Sequence, residues 1–115
     1  MAETHRVILS SLFGKLAAKG IRIYLRLVRF TLSETGRPKS RDMADDLVAA
    51  IKQQPGCVST VFFGDEDGES GLCVIWQTQE QADAAAAVIG LRLEQHLNGN
   101  IIGDVERRLF PILAN

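Results

Sequence analysis

An α+β fold, a small sheet carrying two helices on one face, follows from three observations on this chain of 115 residues. Apolar periodicity alternates between strand and helix spacing in the order β-α-β-β-α-β. Pro55-Gly56 ends one helical stretch, and Thr78 opens another directly behind a strand that closes on Trp76. Between them, two β-rich runs are joined by the polar loop Asp65–Gly71, as in a hairpin. With both helices on one side, the other sheet face is left to bury against something else, most simply a second copy of the chain.

The elements follow in order. Thr4 is placed to cap an N-terminal helix over residues 4–18, whose Ile8, Leu9, Leu12, Phe13 and Leu16 share one face and which Gly20 stops. Packing against the domain or a partner suits this short helix better than lying on a membrane. A strand is expected over Ile21–Leu32, but its alternation changes phase: Ile21, Ile23, Leu25 and Leu27 have one parity, Val28, Phe30 and Leu32 the other. Either a bulge near Leu27–Val28 reunites the two sets, or both faces are buried. The second needs no irregularity and is preferred, with Arg22, Tyr24 and Arg26 then sharing a face with Val28 and Phe30.

Ser33–Lys39 is a loop, and Ser40 is the expected cap of a helix over Asp42–Gln53. Met43, Leu47, Val48, Ala50 and Ile51 form its apolar stripe, while Asp42, Asp45, Asp46 and Gln53 face water. Strands follow at Cys57–Phe63 and Leu72–Gln77. Thr78-Gln79-Glu80-Gln81 reads as a capping box, in which the Gln81 amide reaches back to the Thr78 N–H. In the helix it opens, Ala82, Ala86, Ile89, Leu93 and Leu97 make a stripe. Ala84, Val88 and Leu91 make a second patch, to be covered by the N-terminal helix or a partner subunit. Asn98-Gly99-Asn100 turns the chain into a last strand over Asp104–Leu113. The domain therefore spans residues 21–115, with residues 1–20 as an added amphipathic helix.

Composition excludes several classes. The chain is 46% hydrophobic and 23% charged with a net charge of −1, an ordinary globular balance without the basic surface that nucleic acid or an anionic membrane requires. Charge is unevenly placed: residues 1–41 hold nine Lys/Arg against two acids, and residues 42–115 hold four against twelve. The two halves then pair within the fold or across a dimer, or some of Arg22, Arg26 and Arg29 serve an anionic ligand. No apolar run is long enough to span a bilayer, and Val7–Ala18, broken by Ser10, Ser11, Gly14 and Lys15, lacks a secretory cleavage pattern. Cys57 and Cys73 form no disulfide framework or zinc pattern, which fits a reduced, cytoplasmic setting.

Trp76 is the leading site candidate, either as a pocket wall that stacks a flat ligand or as packing at the strand–helix junction. Tyr24 and Arg26 offer a phenol and a guanidinium beside apolar strand positions. A buried Arg26 needs a partner, and Glu106 or Asp104 on the last strand is expected to supply it ahead of an anion. Cys57 and Cys73 read as core thiols, Asp65–Glu69 as a solvated turn rather than a calcium loop, and His5 and His96 as isolated.

With "QQPGC" closing a helix and "VIWQTQEQADAA" joining strand to helix, residues 21–113 resemble the antibiotic-biosynthesis-monooxygenase-like family. The resemblance implies a ferredoxin-like protomer in a homodimeric α/β barrel, and activities that range from oxygenation of aromatic polyketides without cofactor to haem degradation. Haem-degrading members carry a strand Asn and a helix His; Val28 and Ala84–Ala87 stand at those places and His96 comes too late, which argues against haem. The implied activity is a monooxygenase-like oxidation of a small flat aromatic or quinol-type molecule with no cofactor and no metal. Tyr24, Arg26 and Trp76 would be catalytic, and Arg22, Val28 and Phe62 would contact the ligand. The alternative is a non-catalytic dimeric module that binds a ligand or serves in stress. A cavity holding convergent polar groups favours the enzyme; one filled by Leu, Phe and Val favours the module.

Overall fold

Residues 22–115 are described in the computed structural model, and they run β1 (Tyr24–Leu32), α1 (Ser40–Lys52), β2 (Cys57–Gly64), β3 (Glu69–Trp76), α2 (Gln79–Leu97) and β4 (Ile101–Pro111). The helix expected over residues 4–18 lies outside the described residues. The four strands form one antiparallel sheet in the order β2-β3-β1-β4, so β1 sits between β3 and β4. This is the ferredoxin-like α+β arrangement.

Period-two alternation on β1 and β3 sends one set of side chains to the helices. Val28, Phe30 and Leu32 meet Leu72, Val74 and Trp76 there, and Met43, Leu47 and Ile51 of α1 close over them. From α2 come Ala82, Ala85, Ile89, Leu93 and Leu97. The stripe thus uses Ala85 where Ala86 was expected. Phe62 packs against this core at its edge, its ring 6.0 Å from Phe30 in a T-shaped contact.

The opposite set faces away. Val61, Cys73, Leu27 and Arg108 lie in one cross-strand row, and Ser59, Ile75, Leu25 and Phe110 in the next. Val61 is 53% and Phe110 37% exposed, with no helix over them among the described residues. The phase change in β1 therefore marks a strand with apolar side chains on both faces. β1 itself has no bulge, for its pairing with β3 is continuous from Tyr24 opposite Trp76 to Thr31 opposite Glu69. The irregularity falls on β4 instead. Register with β1 shifts between Arg29–Glu106 and Thr31–Ile102, around Gly103, whose φ of 73° suits a bulge.

Several boundaries differ from expectation. β1 begins at Tyr24, with Ile23 buried just ahead of it and its carbonyl accepting from Ile112 N. Ser40 is the first residue of α1 rather than its cap; the 3-10 turn Arg37–Lys39 leads in, and Lys39 at the N-cap makes no side-chain bond. The hairpin loop shrinks to Asp65–Gly68 because Ser70 and Gly71 pair with Gly64 and Phe63. Asp65 Oδ1 accepts from Asp67 N at 2.9 Å and Glu69 N at 3.0 Å, so its carboxylate serves the loop's own amides. β4 starts at Ile101, opposite Leu32, and ends at Pro111 rather than Leu113.

Only half of the capping box forms. Thr78 Oγ1 accepts from Gln81 N at 3.1 Å, but the Gln81 side chain does not return to Thr78. It lies across Gly56, where a Cβ would fall 1.9 Å from Gln81 Oε1. Gly56, at φ 84°, thus serves both the turn and the close passage of that amide. The helices are joined by a polar cluster rather than left to water. Arg92 Nε donates to Asp46 Oδ2 at 2.8 Å, and His96 Nε2 lies 2.6 Å from the same oxygen. His96 is not isolated, and Asp46 bridges the helices. Among the described residues no helix is long and apolar enough to cross a membrane.

Candidate functional site

A cavity of about 70 Å³ lies between α2 and the sheet. Its existence follows from the small residues on α2. Ala82, Ala85, Ala86 and Gly90 line it, and a Cβ added at Gly90 would meet nothing within 4 Å. Trp76, at the end of β3 and 3% exposed, lines it from the sheet with Val28 and Val74. Ile51, Leu72, Ile89 and Leu93 complete an apolar enclosure.

Two arginines join this lining, the half-buried Arg26 from β1 and the exposed Arg107 from β4. Both point to the helix side, because the odd-numbered positions of β4 face the helices on either side of its bulge, from Ile101 opposite Leu32 to Arg107 opposite Val28 and Leu109 opposite Arg26. Arg26 Nη2 lies 3.3 Å from Asp83 Oδ1 on α2, and Arg26 Nε is buried without a partner among the described residues. The expected partners on β4 are not used. Glu106 stands opposite Arg29 on the other sheet face and lies 4.0 Å from Arg108.

Of the residues singled out in the sequence, the cavity brings together Arg26, Val28 and Trp76. Tyr24 is half-buried and directly opposite Trp76 across the β1–β3 pair, outside the lining. Arg22 is exposed ahead of β1. Phe62 edges a separate polar hollow of about 320 Å³ with Arg37, Arg41 and Ser70. That hollow is larger, but Asp65 is committed to loop amides and Ser70 Oγ to the Gly68 carbonyl at 3.0 Å, and it offers little apolar wall for a flat ring. Arg107, Asp83 and Gly90 were not singled out in the sequence, whereas Ala86 was expected in the helix stripe. The Ala-rich run after Trp76 was the available signal for the cavity wall on α2.

Burial pushes both thiols up, Cys57 against an opposing pull from Lys52, and Cys73 on the uncovered sheet face. A thiol raised this way is a poor nucleophile. Among the described residues no three His, Cys, Asp or Glu side chains gather as a metal site.

The arrangement of sheet and paired helices is shared with solved structures. A putative antibiotic biosynthesis monooxygenase from Nitrosomonas europaea superposes with a TM-score of 0.71 over 81% of this chain and 92% of its own, at 10% identity. SnoaB, a cofactor-independent oxygenase from Streptomyces nogalater, gives 0.68 over 82% and 96%, at 18% identity. The chain has the fold of the antibiotic biosynthesis monooxygenases. A protein of unknown function from Nitrosomonas europaea shares that monooxygenase fold, with a TM-score of 0.73 over 83% of this chain and 93% of its own at 10% identity. No family model matches the sequence, and no curated protein matches it. The likeness to the monooxygenases is therefore one of architecture.

Proposed function

We propose that this chain is a monooxygenase-like enzyme that oxidises a small flat aromatic or quinol-type molecule with O₂ and without metal or flavin, as a homodimer. The observation that carries the reading is the apolar cavity bounded by Trp76 and lined in part by Arg26 and Arg107. Trp76 supplies a flat wall on which rings stack. Arg26, with Arg107 beside it, stabilises the enolate or phenolate that must form before such a substrate can react with O₂. Tyr24, next to Trp76 across the strand pair, is the phenol within reach of a ligand extending past the indole.

For an anthrone the chemistry balances without an added reductant. Loss of a proton from the ring methylene gives the enolate, O₂ adds at that carbon, and departure of water from the hydroperoxide leaves the quinone. The protein's part is to favour the anion and hold it away from solvent. Following O₂ uptake with a panel of anthrones and quinols tests this. Turnover that falls in Trp76→Phe and Arg26→Gln is expected; no uptake across the panel overturns the proposal.

The apolar majority of the lining favours a second reading, a dimeric module that binds a flat ligand without turning it over. Saturable ligand binding with no O₂ uptake would select that reading. In either case the dimer forms through the sheet face carrying Leu25, Leu27, Val61 and Ile75, which no helix covers among the described residues.

A further inference from the structure

The two cations of the cavity are unequally partnered. Arg26 reaches Asp83 through one contact of 3.3 Å, and its Nε is buried with no partner. Asp83 retains 60% side-chain exposure against 20% for Arg26, so the pair straddles the boundary between cavity and solvent. Arg107, diagonal to Arg26 across β1 and β4, makes no ion pair among the described residues. Arg107 is exposed to solvent, so the partly buried cation at the cavity is Arg26, with Asp83 as its one carboxylate partner among the described residues.

Resting on the cavity's role as the ligand site proposed above, we infer that the Arg26–Asp83 pair is a displaceable latch that makes the site selective for flat aromatic ligands bearing an anionic oxygen group. A single long contact to an exposed carboxylate is a weak bond. An oxyanion arriving in the cavity engages Nε together with an Nη in a two-pronged charge-assisted bond, which is stronger and satisfies the orphaned donor. A neutral ligand leaves Nε unpaired and the latch closed. The cavity is bounded by Ile51, Ile89 and Leu93 as well as by alanine and glycine, so a ligand of either charge gains room by repacking those side chains, and the Arg26–Asp83 pair acts on charge selectivity alone.

Fluorescence titration of the full chain with two probes of one ring system tests the latch: 1-anilinonaphthalene-8-sulfonate, an anion, and N-phenyl-1-naphthylamine, its neutral counterpart. The sulfonate is expected to bind about tenfold more tightly, and Arg26→Gln to erase that preference by weakening the anion alone. Arg107→Gln is expected to weaken the anion about threefold through lost long-range attraction. Asp83→Asn, at an exposed position where the fold is not at stake, is expected to tighten the anion about threefold and leave the neutral probe unchanged. Equal affinity for the two probes, or an Asp83→Asn chain that binds the sulfonate no better, overturns the latch. Neutral-probe binding that survives in such a result keeps the cavity as a ligand site, and lost O₂ uptake with intact probe selectivity faults only the enzymatic reading. Failure of both probes to bind overturns site and latch together.

Discussion

Asp46 accepts from Arg92 and lies 2.6 Å from His96 Nε2, and these contacts, Arg92 first, hold its carboxyl well below the usual carboxylate range. A group that is harder to protonate in the folded chain than in the unfolded one stabilises the fold above its unfolded pKa and loses that contribution as acid is added. Asp46→Asn is therefore expected to lower the melting temperature at neutral pH. The gap between variant and parent should close as pH falls below about 4. Melting curves across that range check it, and a gap that persists undiminished at pH 3 would contradict it. Trp76 carries a different burden: it is a core member as well as a cavity wall, at 3% exposure. Trp76→Ala should cost about 3–5 kcal/mol in denaturant unfolding, a Trp→Ala loss in a packed core. Trp76→Phe keeps most of the packing and isolates the indole's role in the site. Of the two readings the sequence left open for Trp76, packing at the strand–helix junction is what the structure shows, and the stacking role is what Trp76→Phe tests.

At the level of elements, α2 shows how a helix can be weakened for the sake of a void. Gly90 lies in mid-helix with open space where its Cβ would be. Gly90→Ala is expected to stabilise the chain by about 0.5–1 kcal/mol, since alanine loses less backbone freedom on folding. Gly90→Leu should instead occupy the cavity and abolish probe binding, which the same titration reads. Thr78→Ala removes the one capping bond that forms and should cost about 1 kcal/mol. Residue chemistry alone marked these elements well, because Pro55-Gly56, Thr78 and Asn98-Gly99 are strong local signals. The errors sit where tertiary contacts overrule local preference. Gln81 leaves its capping partner to lie over Gly56, and Ser70-Gly71 joins a strand because Phe63 and Gly64 stand opposite.

For the molecule as a whole, the dominant physical fact is a sheet face that no helix covers among the described residues. Leu25, Leu27, Cys73 and Ile75 alternate with the core set, and Val61, Phe63 and Phe110 extend the patch. An apolar expanse of this kind marks an interface. Sedimentation is expected to show a dimer, and Leu27→Glu a folded monomer; a parent chain that sediments as a monomer would refute the pairing. The strand order and the one-sided helices were legible in the sequence because periodicity and turn residues encode them. The cavity was legible in part. Trp76, Val28 and Arg26 stood out by type, whereas Asp83 comes to Arg26 through the packing of α2 on the sheet and Arg107 comes to the same face through the alternation of β4. Glu106 was the expected partner, but strand alternation turns it to the other face, opposite Arg29. The alanine-and-glycine wall has one more consequence. Because the breadth of the chamber is governed by a handful of positions along a single helical turn or two, a methyl group gained or lost there would retune which molecules fit while the sheet that carries the charges stays as it is.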